Sequence, residues 1–239
     1  MIPAVVMTLA LAASGPKPMA VPDTTLAFRF PYLGSAKAVR WLPFGAKRSA
    51  TIGQYRIGFW PAERSTRGGS LPEGFLEVTP ASARLHVSPR FRLGDFLTKG
   101  QERVWPKYLV LAPTLVEKLE RLGDRLEALG RPSKLVVMSG FRTPAYNAGG
   151  VSTAGRASDS QHMYGTAADV YVDADGDGRM DDLDRDGRVT RADAAWLLVV
   201  ADDIEREHPH LVGGLSAYHA NSSHGPFVHV DVRGRRARW

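Results

Sequence analysis

The chain has seven histidines and no cysteine, so a metal would have to be held by imidazole and carboxylate, and thiolate chemistry and disulfides are excluded. Two stretches place such donors well. In Ser160-Gln-His-Met-Tyr-Gly-Thr-Ala-Ala-Asp169, six residues separate His162 from Asp169, which lets a turn and the strand after it each offer one ligand. Gly165 and the two alanines would let the backbone come close. A hydrolytic centre needs three protein ligands and an open position for water, and His229 in Phe227-Val-His-Val-Asp-Val-Arg233 is the natural third. Any one of these histidines alone is more often a hydrogen-bonded structural residue; the three together carry weight. Upstream, Ser139-Gly-Phe-Arg-Thr-Pro-Ala-Tyr-Asn147 holds Arg142, whose planar guanidinium suits a peptide carboxylate or, as the plainer reading, a structural ion pair.

A second kind of metal chemistry is written between Asp173 and Asp193. Asp182, Asp184 and Asp186, then Gly187, Val189 and Asp193, fit positions 1, 3, 5, 6, 8 and 12 of an EF-hand loop. Asp173, Asp175, Asp177 and Gly178 begin a similar register nine residues earlier. So many carboxylates repel one another unless a cation neutralises them, which implies calcium. The bland alternative is a solvated Asp/Gly turn.

These residues need elements to hold them. A helix should begin at Thr114, capped by its hydroxyl with Glu117 three residues on, and bury Leu115, Leu119, Leu122, Leu126 and Leu129 before Gly130 and Pro132 end it. Leu135-Val-Val-Met138 reads as the next strand. A second helix is expected from Arg191 to Glu207, with Trp196, Val199, Val200 and Ile204 on its apolar side and a Thr190/Asp193 capping box. Strict alternation over Phe227–Arg233 predicts a strand with His229, Asp231 and Arg233 on one face and valines on the other. Short apolar runs broken by Gly, Pro and basic residues make Thr24–Val78 a β-rich region, with an exposed loop over Arg64–Pro72.

Ser-Gly-Phe-Arg-Thr-Pro with Asn147, Ser160-x-His-x-x-Gly-x-Ala-x-Asp169 and Phe-Val-His229-Val-Asp together resemble the M15 group of zinc D-Ala-D-Ala peptidases, over roughly Val87 to Arg233. That group shares a structural superfamily with lysostaphin-like enzymes and the hedgehog signalling domain. The resemblance implies an α+β fold, a small antiparallel sheet flanked by helices and preceded by the β-rich region. It also implies zinc on His162, Asp169 and His229, substrate binding by Arg142, and a cell-wall peptide as substrate. Ser160 and Tyr164 are further candidates for the substrate groove. Many relatives carry a Glu or Asp three residues before the last ligand, and others a His two before it; here Pro226 and Phe227 stand there. Asp231 is then the first choice for the proton acceptor and His224 the second, although Asp231 could instead only orient His229. A zinc-bearing but inactive wall-binding module remains the alternative. An iron oxygenase triad on His229-x-Asp231 fails, because the usual final histidine is missing.

At 239 residues and 44% apolar, the chain can bury a real core. Its net charge of +6 would suit polyanionic cell wall, although Arg233, Arg235, Arg236 and Arg238 crowd one end as a solvated tail would; no nucleic-acid partner is expected. Ile2 to Ala13 is apolar, small residues follow, and no charge precedes Lys17, as in a secretory leader without its basic start. It is too short to span a bilayer. The expected organisation is a leader over 1–20, the β-rich region over 21–85 and a metallopeptidase domain over 86–239 with the calcium loops at 173–193. The product would be exported, periplasmic or wall-associated, with no integral membrane segment after processing; its oligomeric state is left open.

Overall fold

The computed structural model describes residues 30–33, 39–44, 49–61, 72–150 and 156–239. The expected leader, most of the Leu26–Phe30 alternation and nearly all of the Arg64–Pro72 loop lie outside them. Among the described residues no helix is long and apolar enough to cross a membrane.

Toward the N-terminus, β1 (Arg40–Pro43) pairs with β4 (Gly74–Val78), and a short hairpin joins β2 (Thr51–Ile52) to β3 (Tyr55–Arg56). The third strand of this sheet is β5 (Lys107–Leu109), from beyond the boundary expected near residue 85. Phe44, Trp60, Phe75 and Tyr108 form a cluster of tilted and edge-on rings that reaches Phe141, in the Ser-Gly-Phe-Arg loop. Trp60 Nε1 donates to Met163 O at 2.8 Å, beside His162. The β-rich region therefore buttresses both motif loops.

The main sheet comprises β6 (Leu135–Ser139), β7 (Ala167–Val172), β8 (Gly214–Tyr218), β9 (Phe227–Asp231) and β10 (Ala237–Arg238), in the order β10-β8-β9-β7-β6. All its pairs are antiparallel except β10 with β8. Val170, Val172, Val228, Val230 and Leu215 are fully buried, and the fold is the expected α+β arrangement, with α3 (Arg191–Glu207) layered on the sheet and α1 (Pro113–Ala128) packed against α3. The short α2 (Pro144–Ala148) follows the Ser-Gly-Phe-Arg loop.

Two helix expectations need correction. Pro113 takes the first position of α1, where its missing N–H costs nothing, and Ala112 is the N-cap, so Thr114 caps nothing. The far end is as expected: Gly130 adopts φ +61° and Arg131 N reaches back to Leu126 O, which leaves Leu129 past the end and exposed. α3 has the Thr190/Asp193 capping box, but its buried side is Ala194, Leu197, Val200, Ala201 and Ile204. Val199 is exposed and Trp196 half-buried, because small residues at 194 and 201 let the backbone sit close to the sheet. The basic end is no loose tail either: Arg236 and Arg238 pair with Asp202, and Arg238 also with Glu205.

Replacing Trp60 by Ala should lower unfolding stability by about 3–5 kcal/mol in chemical denaturation. Trp60→Phe should keep most of the packing and lose about 1 kcal/mol for the missing bond to Met163 O.

Candidate metal centre

Four glycine and strand features bring the donors together. Gly140 lies so close to Phe96 that a Cβ would sit 2.6 Å from its Cα, which pins the loop carrying Arg142. His162 is on a 3-10 turn, Gln161–Tyr164, ended by Gly165 at φ +66°, where a Cβ would meet Val110 O at 2.3 Å. Asp169 sits in the middle of β7. In register, Ser139 of β6 faces Asp169, Asp169 faces His229 of β9, and His229 faces Ser216 of β8, so all four side chains share one face of the sheet.

On that face His162 Nε2 is 3.2 Å from Asp169 Oδ1 and 3.3 Å from His229 Nδ1, and His229 Nδ1 is 3.0 Å from Asp169 Oδ1. Donors about 2.05 Å from one tetrahedral ion lie about 3.3 Å apart, so the three atoms are spaced as a bound ion requires. Each imidazole has its other nitrogen tied down. His162 Nδ1 donates to Gly140 O at 2.7 Å and His229 Nε2 to Asp231 Oδ2 at 3.0 Å, which fixes both tautomers with a lone pair toward Asp169. Two imidazoles and a carboxylate are the donor set of a hydrolytic zinc site.

The electrostatics of the three donors differ. Burial lowers the His162 pKa and so favours the neutral ligand form. Burial alone would raise the Asp169 carboxyl, but His162, His229 and Arg142 outweigh it and hold the group well below the usual carboxylate range. For His229 burial works against the cation, and hydrogen bonds to Asp169 and Asp231 more than offset it, so its pKa is raised.

Residues 95–192 match the family model described as Peptidase M15. That match supports an M15-like metallopeptidase over this segment of the chain. Neither the curated proteins nor the solved structures gave a match. The matched segment contains His162 and Asp169 and stops short of His229, which the sheet register brings to them.

The remaining M15-derived expectations fare unevenly. Arg142 is beside the cluster, but its Nη2 donates to Asp169 Oδ2 and its Nε to Ser139 Oγ at 2.9 Å, so it holds Asp169 in place. Asp231 does not face the site. It is fully buried behind His229, and its carboxylate also accepts Gly214 N at 2.7 Å and Arg233 Nε at 2.9 Å; His229 and Arg233 keep its pKa low despite burial. A group so engaged orients His229 and is badly placed to take a proton from water. His224 is at the tip of the β8–β9 hairpin, bonded to Asn221 and Gly225 and edge-on to Phe227 at 4.9 Å. Ser160 precedes the His162 turn and is mostly buried; Tyr164 is buried, its hydroxyl donating to Asp159 at 2.6 Å.

The acidic loops form two groups, Asp173 with Asp175 and Asp181, and Asp182 with Asp184 and Asp193. Asp177 and Asp186, expected among the ligands, belong to neither. Their carboxylates accept Arg179 N and Arg188 N, both at 2.8 Å, because a short acidic side chain readily bonds the amide two residues on. Asp181 was not anticipated; burial, then Asp175, Asp173 and Asp177, raise its pKa. His208 and His210 instead bond Arg121 and Glu117. A cavity of about 330 Å³ between α3 and the C-terminal strand, lined in part by Val199, Asp202 and Trp239, includes none of His162, Asp169 and His229 in its lining.

Metal analysis of the purified protein should find one tightly held transition-metal ion per chain, lost on changing His162, Asp169 or His229 to Ala. Asp231→Asn should keep the ion but weaken its affinity about 10–100-fold in a chelator competition, as loss of an orienting partner does.

Proposed function

We propose that the chain is an exported zinc peptidase acting on the peptides of bacterial cell-wall peptidoglycan, as a D,D-carboxypeptidase or endopeptidase. The convergence of His162 Nε2, Asp169 Oδ1 and His229 Nδ1 on one point carries this reading. When bound, zinc supplies Lewis acidity, which lowers the pKa of a coordinated water and polarises a carbonyl. The chain's own groups do the rest. Arg142, held on Asp169 and Ser139, is the cation at the β6 side of the ligands and meets the substrate carboxylate or the developing oxyanion. Asp231 and Gly140 keep the two imidazoles aligned. With Asp231 turned away, His224, packed on Phe227 of the ligand strand, is the side chain that accepts the proton and returns it to the leaving amine.

The second reading, a zinc-bearing wall-binding module without catalysis, is favoured by one observation: Pro226 and Phe227 stand where relatives place an acid–base residue, and Asp231 is engaged elsewhere. Purified peptidoglycan incubated with the zinc-loaded protein separates the two. We expect wild type to release fragments whose masses name the bond, His229→Ala to release none, and His224→Ala to keep its zinc while kcat falls about 10²–10⁴-fold. Sedimentation with peptidoglycan and no release would establish the binding module instead.

In the same reading the two acidic groups take calcium, supported by the EF-hand-like spacing of Asp182, Asp184 and Asp193. They stiffen the passage from β7 to α3. At 100 times its dissociation constant, calcium would add about 2.7 kcal/mol of stability, seen as a raised Tm that Asp182→Asn abolishes. An unchanged Tm in millimolar calcium would leave these groups as solvated turns.

A further inference from the structure

Trp239, which follows β10, has more than half its surface exposed although its indole N–H and its carbonyl are both engaged. Its Nε1 donates to Tyr218 Oη at 2.8 Å, and its carbonyl accepts Ser216 Oγ at 2.6 Å. Its ring lies against His229 (centroids 5.3 Å apart), and the Arg233 guanidinium sits 5.2 Å from the ring centre. Gly214 makes the seat: a Cβ there would be 2.9 Å from Trp239 Cη2 and 2.4 Å from Asp231 Oδ2. The indole is therefore fixed on the face of the sheet that carries the ligands, on the opposite side of His229 from Asp169 and Arg142. Tyr218 continues the surface, stacked on Phe227 at 4.6 Å and 7°.

We propose that Trp239, steadied by Tyr218, is the wall of a substrate subsite that selects an uncharged, apolar side chain on the residue donating the scissile carbonyl. The proposal rests on the peptidase reading above. With the indole N–H already spent on Tyr218, the exposed part of the ring offers carbon surface and no hydrogen bond, so it recognises methyl and methylene groups. Arg142 at the β6 side takes the carboxylate-bearing part of the peptide, which places the preceding residue toward β8 and β10. A basic side chain in that position finds no acceptor beside the wall, because Asp231 is already paired with Arg233. Trp239 is a specificity residue here and moves no proton.

The test uses zinc-loaded full-length protein and short acylated peptides ending in D-alanine, with D-alanine, D-leucine or D-lysine in the penultimate position. Hydrolysis gives KM and kcat, and titration calorimetry at a temperature where turnover is slow gives Kd. Wild type should bind the two apolar peptides about tenfold more tightly than the lysine peptide. Trp239→Ala should erase that preference by raising KM and Kd for the apolar peptides, with kcat and zinc content little changed, and Trp239→Phe should restore most of it. Unchanged constants in Trp239→Ala, or a loss that follows zinc content, would overturn the proposal; the latter would mean the indole only shields His229. If no peptide is cleaved but Trp239-dependent binding persists, the catalytic reading fails and the subsite stands. If wild type binds none of the peptides, the subsite falls as well.

Discussion

A buried carboxylate between two buried imidazoles is tolerable only if every polar atom around it has a partner, and that requirement governs how this molecule is built. Asp169 shares one oxygen with His162 and His229 and gives the other to Arg142. Each imidazole passes its remaining N–H outward, to Gly140 O or to Asp231, and Asp231 is in turn closed off by Arg233 and Gly214 N.

The ligand strand is tied to the helices by a second buried network. Lys118 of α1 and Glu205 of α3 are both almost fully buried and lie 2.5 Å apart, and Lys118 Nζ also donates to Asp231 O at 2.7 Å. Glu205 accepts Gly213 N at 3.0 Å and pairs with Arg238. Burying two charges costs several kcal/mol each, on the order of what their attraction returns, so the pair contributes placement more than net stability. Burial lowers the Lys118 pKa, against the pull of Glu205. Through these contacts both helices set the position of Asp231, and Asp231 sets the ring of His229.

On the other flank an aromatic prop serves the loops. Phe75 meets Phe141 edge-on at 6.5 Å, Ala145 N donates to Ile57 O, and Arg142 N donates to His162 O, so the N-terminal region and the two motif loops are packed together. The residues with least apparent chemistry are thus what keeps Arg142 and His162 within reach of each other.

The sequence by itself determined the chemistry on offer. With cysteine absent, the His162/Asp169 spacing and the alternation around His229 named the three donors, and the period of the helices and the Thr190 cap gave α1 and α3 nearly to the residue, because local periodicity and capping are properties of neighbouring positions. Which way Asp231 and Arg142 face was decided only by the tertiary structure. Asp231 is spent on His229 and Arg233, two residues to either side, and Arg142 on Asp169, 27 residues away and brought to it by the pairing of β6 with β7. Trp239 beside His229 carried no signal at all in the sequence. Its place depends on β10 pairing with β8 and on the empty space at Gly214, and neither long-range pairing nor a missing side chain can be read from local sequence.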